Sequence, residues 1–295
     1  MTEHPKWTER LLHMCRILAW GLLLSSLGAC ALSPKKEQTQ QLSDALLQAQ
    51  LQQVQAQWKQ EAADTHKHVF LGSAQHSQSL VFQRDILLMQ QSLQAFQAST
   101  VSILLSNQLE TQQLRYPFAT VPNLDRVFKQ LSAWSHAHPM QLTILISTHG
   151  LPDVLSVNIA NQYFPPLRTA PLKAWLDQLH PRTRVTLLLS ACYSGSFVDA
   201  LQGPNRMVLS ASAADRNSFG CRYNEKNTWF IGQLLGPHFA PQSTWDDVFT
   251  AMRTGVEQQE LAERMSPPSN PQIRSAENLR KMRLAEWFGK PISQP

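Results

Sequence analysis

Apolar runs and amphipathic stretches alternate through most of the chain. Five short runs rich in Val, Ile and Leu read as strands: His68–Ser73, Val101–Ser106, Leu142–Ile146, Val185–Leu189 and Met207–Ala213. Continuous apolarity over so few residues suits strands buried on both faces. Helical spacing lies between them. Leu80–Phe96 places Val81, Ile86, Leu87, Leu93 and Phe96 on one side, and Leu124–Trp134 turns Val127, Phe128 and Leu131 inward behind Asn123 as its expected cap. Leu172–Leu179, a short Phe197–Leu201, Thr228–Leu235 and Trp245–Arg264 complete the helices, and Pro165-Pro166 marks an irregular excursion. Strand and helix in alternation predict an α/β fold with a mostly parallel central sheet flanked by helices on both faces.

Two of the strands run straight into a reactive residue and a tight turn. One continues as Ser147-Thr148-His149-Gly150, the other as Ser190-Ala191-Cys192-Tyr193-Ser194-Gly195. Ligands of open α/β sheets bind beyond the carboxyl ends of the strands. If the two strands are neighbours, imidazole and thiol meet there as base and nucleophile. A free thiol, with a pKa near 8.5, is mostly un-ionised at neutral pH and needs such a base. Backbone N–H groups in the strand-end turns can receive an oxyanion, and Gly150 leaves room for substrate.

The chain ends change where this chemistry is expected. Lys6, Arg10 and Arg16 precede the apolar run Ile17–Leu24, which is too short for a comfortable membrane span. Leu27-Gly28-Ala29-Cys30 follows and resembles a bacterial lipobox. That resemblance implies removal of residues 1–29, a lipid on Cys30 and, with Ala31 next, an outer-membrane address facing the periplasm. Residues 30–65, rich in Gln, read as a partly helical tether. The body is expected over 66–265, with a Pro-rich and basic tail over 266–295. The net charge of +5 becomes +4 without residues 1–29 (23 cations against 19 anions) and gathers into no patch, so nucleic acid is not expected as a partner. The body keeps two cysteines, Cys192 and Cys221, and a disulfide between them would cap the nucleophile.

Three segments carry a resemblance to a family: Ser147-Thr148-His149-Gly150, Ser190-Ala191-Cys192-Tyr193-Ser194-Gly195 and Asp215-Arg216-Asn217-Ser218-Phe219-Gly220-Cys221. In this order and spacing they resemble the legumain-type cysteine peptidases, peptidase family C13, from about Val69 to Ala262. The resemblance implies a caspase-like three-layer sandwich. It makes Cys192 the nucleophile, His149 the general acid/base, and the N–H groups of Gly150 and Cys192 the oxyanion hole. It places Arg84 in the primary specificity pocket, with Asp215 and Ser218 at the pocket wall. Ser190 stands where legumains carry Glu, a departure that leaves the P1 specificity open. No residue of Ser73-Ala74-Gln75 matches the Asn that orients the family's histidine.

The expected activity is therefore endopeptidase action on a peptide or protein at the cell envelope. A transpeptidase using the same thioester, or a catalytically silent envelope scaffold, are the alternatives. No cofactor is expected, since no GxGxxG or GxxxxGK[ST] motif occurs. No metal is expected either: His66 and His68, and His136 and His138, lack carboxylate and cysteine ligands beside them, with His76 nearby.

Overall fold

The computed structural model describes residues 34–60, 66–109 and 114–289. Cys30 and its lipobox lie outside the described residues. Among the described residues no helix is long and apolar enough to cross a membrane.

The apolar runs form the centre of a six-stranded sheet. Its strands are β1 (Lys67–Ala74), β2 (Val101–Ser106), β3 (Met140–Ser147), β7 (Arg184–Ser190), β8 (Arg206–Ser210) and β9 (Gln272–Arg274), in the spatial order β2-β1-β3-β7-β8-β9. All neighbours are parallel except β9, which runs antiparallel to β8. Strand alternation divides the side chains between two cores. Ile144, Ile146, Leu187 and Leu189 face one layer, with Phe128 and Leu131 of a helix over Val121–Ala137 and Trp175 of one over Thr169–Asp177. Leu145, Leu188 and Leu209 face the other, with Ile86 and Met89 of a helix over Val81–Phe96 and Met252 of one over Trp245–Ala262. From β1 the chain passes to β2 on one side and then returns past β1 to β3 on the other. The order thus reverses between β1 and β3, and it is beyond the carboxyl ends at such a reversal that open α/β sheets bind their ligands.

Two expectations are corrected, and the segments at the two chain ends find their places. The helix expected behind Asn123 begins earlier: Thr120 is its cap, accepting the Asn123 N–H at 3.4 Å, and Pro122 lies in its first turn, where a missing N–H does no harm. The Pro165-Pro166 excursion is a strand, β6 (Gln162–Leu167), completing a three-stranded antiparallel sheet with β4 (Gly150–Leu151) and β5 (Val154–Ile159). An edge strand loses little to proline.

The Gln-rich tether is a helix over Pro34–Lys59 and joins the compact unit from Leu42 onwards, burying Leu47, Leu51, Val54 and Trp58. Its Gln50 side chain pairs with both backbone groups of Leu104 on edge strand β2, at 2.9 and 3.1 Å, and so covers part of that edge. The tail is likewise part of the body. It supplies β9, and it buries Trp287, whose Nε1–H donates to Thr186 Oγ1 at 2.8 Å.

Candidate active site

Backbone pairing decides which residues meet at those carboxyl ends. Ala74 of β1 is level with Ser147 of β3, and Ser147 is level with Ser190 of β7. Two residues further along each strand stand His76, His149 and Cys192. The three occupy one row across three adjacent parallel strand ends, with His149 in the middle. The turns remain tightly joined beyond the sheet: the Thr148 N–H donates to the Ser190 carbonyl at 3.1 Å, and Gln75 N–H to the Ser147 carbonyl at 3.1 Å.

Gly150 lies so close to the Cys192 turn that an added Cβ would sit 2.4 Å from the Cys192 carbonyl oxygen and 3.2 Å from Ala191 Cβ. Only glycine fits there. After Cys192 the chain turns sharply at Tyr193, which holds φ +57° and donates its N–H to the Arg216 carbonyl at 2.7 Å. A short 3₁₀ turn over Ser194–Phe197 follows. This is where a helix over Phe197–Leu201 was expected. Gly195 of that turn abuts the 212–214 backbone, where an added Cβ would sit 2.5 Å from Ala214 N.

The thiol is half-buried against Ser218, whose N–H and hydroxyl lie 3.3 and 3.7 Å from Sγ and whose carbonyl is 3.5 Å away. Cys192 and Cys221 are both free thiols. Burial, and then the neighbouring Cys192, raise the Cys221 pKa, which keeps it protonated.

His149 is half-buried and held between two perpendicular rings. His76 is 4.6 Å away at 88° and Phe82 5.0 Å away at 81°, centroid to centroid. Among the described residues none hydrogen-bonds its imidazole. Burial lowers its pKa from the ordinary 6.5, so the neutral ring is favoured. His76 is buried, and burial followed by the proximity of His149 takes its pKa down to about 4. Its Nδ1 meets the Gln78 N–H at 3.4 Å, and its Nε2 is buried with no partner among the described residues.

Beneath the row lies a carboxylate with no cation paired to it among the described residues. Asp85 is fully buried and accepts from Ser147 Oγ at 2.7 Å, Thr228 Oγ1 at 2.8 Å, Thr228 N at 3.0 Å and Asn227 Nδ2 at 3.1 Å. Thr228 Oγ1 also contacts Ser190 Oγ at 2.9 Å. One carboxylate thus ties together the strand ends that lead into His149 and Cys192, and the loop that precedes a helix over Trp229–Leu234. Burial raises its pKa to about 6 although the four hydrogen bonds pull it down.

The residues expected to bind substrate do not all gather beside Cys192 and His149. Ser218 touches the thiol. Ser190 is 2% exposed, and its hydroxyl belongs to the Asp85 network, so it sits below the site floor instead of lining a pocket. Arg84 is exposed and donates to the Glu225 carbonyl at 3.0 Å, bracing the loop opposite its helix. Asp215 is exposed beside Arg216 at 3.4 Å. Sequence reasoning missed His76 as a neighbour of the row and Asp85 as its support. The available signal was the equal two-residue offset of His76, His149 and Cys192 from aligned strand positions, which needs the strand pairing to be known.

The model of the Peptidase C13 family matches residues 137–267. Among solved structures, caspase-1 from Spodoptera frugiperda is similar with a TM-score of 0.52 at 12% identity, covering 72% of this chain and 87% of that one. A protein of Geobacter sulfurreducens is similar with a TM-score of 0.49 at 13% identity, covering 75% of this chain and 98% of that one. No curated protein matches. At this identity the likeness to caspase-1 shows the fold, a mostly parallel sheet between helical layers.

Proposed function

We propose that this chain, a caspase-fold protein whose residues 137–267 match the model of the Peptidase C13 family, is a cysteine endopeptidase acting through Cys192 and His149. One observation supports the reading: His149 and Cys192 each stand two residues beyond the paired Ser147 and Ser190 at the carboxyl ends of adjacent parallel strands, and their turns approach so closely that only glycine fits at position 150. The neutral imidazole takes the Cys192 proton as Sγ attacks the scissile carbonyl carbon. The N–H groups of Gly150 and Cys192 receive the oxyanion, where one donor is commonly worth about 10²–10³ in rate. As the tetrahedral intermediate collapses, the C–N bond breaks and His149 passes its proton to the departing amine, leaving a thioester on Cys192. Water then attacks the thioester carbonyl and gives a proton to His149. The acyl group leaves as the acid, and the proton returns to sulfur.

Ser218, against Sγ, walls the acyl side of the cleft, and Arg84 shapes that side through its hold on the 222–225 loop. The lipobox-like segment ending at Cys30 supports an envelope address with the body tethered to a membrane. Intact-mass analysis of protein from membranes is expected to give a lipidated N-terminus at Cys30, and an unmodified Cys30 would overturn the anchor.

A peptidyl acyloxymethyl ketone is expected to label the wild-type chain at Cys192 and to leave Cys192→Ala unlabelled. Peptide turnover by folded Cys192→Ala would overturn the peptidase reading.

A further inference from the structure

The parts of the site that Asp85 joins do not need it equally. Strands β3 and β7 are paired residue by residue as far as Ser147 and Ser190, and the Thr148 N–H extends the pairing to the Ser190 carbonyl at 3.1 Å. These strand ends keep their places without the carboxylate. Segment 215–228, which follows β8 and leads into the helix over Trp229–Leu234, belongs to no sheet. It depends on individual contacts.

Those contacts fall at its two ends. At the near end the Arg216 carbonyl accepts the Tyr193 N–H at 2.7 Å, and the Ser218 N–H lies 3.3 Å from the Cys192 sulfur. The middle runs outward, with Arg222, Tyr223, Asn224 and Lys226 exposed. At the far end the ties go to consecutive residues of the helix over Val81–Phe96. Arg84 donates to the Glu225 carbonyl at 3.0 Å, and Asp85 accepts from Asn227 Nδ2 at 3.1 Å, Thr228 N at 3.0 Å and Thr228 Oγ1 at 2.8 Å. Arg84 is exposed, so water competes for its bond. Asp85 is fully buried, and hydrogen bonds to a carboxylate are the stronger kind.

The two carboxylate oxygens divide the donors by type. Oδ1 faces Asn227 Nδ2 and Thr228 N, which can only donate. Oδ2 faces the hydroxyls of Ser147 and Thr228, which can turn and accept instead. An asparagine at this position can keep its oxygen towards the N–H groups and donate its own N–H groups to the hydroxyls. Thr228 then sends its proton to Ser190 Oγ, 2.9 Å away. A leucine satisfies none of these partners.

We propose that Asp85 is a positioning residue for the peptide substrate, holding segment 215–228 so that Ser218 stands ready beside the thiol. A peptide then meets a surface that is already ordered. The proposal deepens the peptidase reading and rests on it. The carboxylate acts on recognition of the peptide, while the paired strands hold the sulfur, the imidazole and the oxyanion donors.

The test compares a peptide with an ester that has no peptide to recognise. Asp85→Leu is expected to lower kcat/KM for a peptidyl coumarin substrate by about 10²-fold, the scale of a displaced positioning group. Cys192-dependent hydrolysis of p-nitrophenyl acetate by the same chain is expected to change by less than about threefold. Asp85→Asn is expected to keep the peptide rate within about threefold of wild type, since the N–H donors and both hydroxyls retain partners. If Asp85→Leu fails to fold, Asn227→Ala removes one tie from a half-buried position, with an expected peptide loss of about tenfold and an unchanged ester rate. Equal losses on peptide and ester would overturn the proposal. So would an Asp85→Asn chain as impaired as Asp85→Leu, or full peptide activity in the folded variant lacking the tie. A wild-type chain that hydrolyses the ester through Cys192 but cleaves no peptide would overturn the peptidase reading as well, so the two failures are distinguishable.

Discussion

The central sheet carries histidines at both of its ends, and they differ in what their nitrogens do. At the amino end His68 is 1% exposed, with Nδ1 2.8 Å from Thr100 Oγ1 and Nε2 3.3 Å from Thr143 Oγ1. Its ring rests on Phe288 at 5.4 Å, and burial, with His66 beside it, pushes its pKa down to about 3. At the carboxyl end His149 is half-buried, braced by rings and not by hydrogen bonds, and level with a thiol. A ring with both nitrogens satisfied is a structural part. A ring held in place with no described residue on either nitrogen is free to serve the base role proposed for it. Burial alone does not separate the two cases, because it lowers the pKa of both.

Substitution at the two ends is the strongest way to break that contrast. His149→Ala is expected to lower peptide turnover by about 10²–10⁴, the usual worth of a general acid/base, with the unfolding midpoint nearly unchanged. His68→Ala leaves two buried threonine hydroxyls without their partner and opens a cavity. Its expected cost is about 2–4 kcal/mol of stability by denaturant titration, with normal probe labelling of Cys192 below the unfolding transition. A His149→Ala chain that mainly unfolds would erase the distinction, and so would a folded His68→Ala chain that no longer labels.

The next largest effect is expected at Gly150. A methyl group there meets the Cys192 carbonyl oxygen at 2.4 Å, and that neighbour is backbone, so the two turns must separate. Gly150→Ala is expected to lose about 10²–10³ in kcat/KM through a displaced oxyanion donor. Kinetics with a minimal coumarin substrate checks it, and near-normal turnover would place the oxyanion elsewhere.

The fold and the site differ in how far the residues announce them. Strands β1, β2, β3, β7 and β8 were legible because burial on both faces leaves continuous apolar runs. Cys192 and His149 were legible because each interrupts such a run next to a turn. His76 was not, since its strand ends in Ser73-Ala74-Gln75-His76-Ser77 without a break in character, and its place depends on pairing with β3. Asp85 reads as an ordinary polar residue of an amphipathic helix, yet its donors come from positions 147, 227 and 228, far along the chain. The small β4–β6 sheet was hidden by two prolines on an edge strand. Strand β9 has only three residues, too few for a period to show.

Asp85 makes the comparison quantitative in pH. Its pKa is about 6 in the folded chain against an ordinary 3.8, so the folded state binds the extra proton between those values. Its stabilising contribution is complete below about 4 and is lost as pH rises through about 6, by up to about 3 kcal/mol at 1.36 kcal/mol for each pH unit. His66, His68 and His76, with pKa values lowered to about 4, 3 and 4, act in the opposite sense and lose stability as pH falls. The contribution must therefore be read as a difference between two chains. Asp85→Asn keeps the size of the side chain and is expected to remove the downward component between about pH 4 and pH 6 in denaturant titrations. Parallel curves for the two chains would mean that the carboxylate is not titrating in that window.

The smallest expected effect tests whether the ring brace tunes the base. His76 is neutral above about pH 4 and keeps water from one side of the His149 ring. His76→Ala admits water there, which relieves the desolvation that lowers the His149 pKa. The acid limb of the kcat/KM profile is then expected to move upward toward 6.5, the ordinary histidine value, with kcat reduced by about tenfold as the imidazole loses its fixed orientation. His76→Phe restores the ring without the nitrogens and is expected to return the acid limb to its wild-type position. If His76→Asn restores it and His76→Phe does not, the nitrogen of His76 and not its ring is what positions the base. A change in kcat with no movement of the limb in any variant would reduce His76 to packing, and the contrast with His68 would then rest on the nitrogens of the two rings and not on tuning by a neighbour.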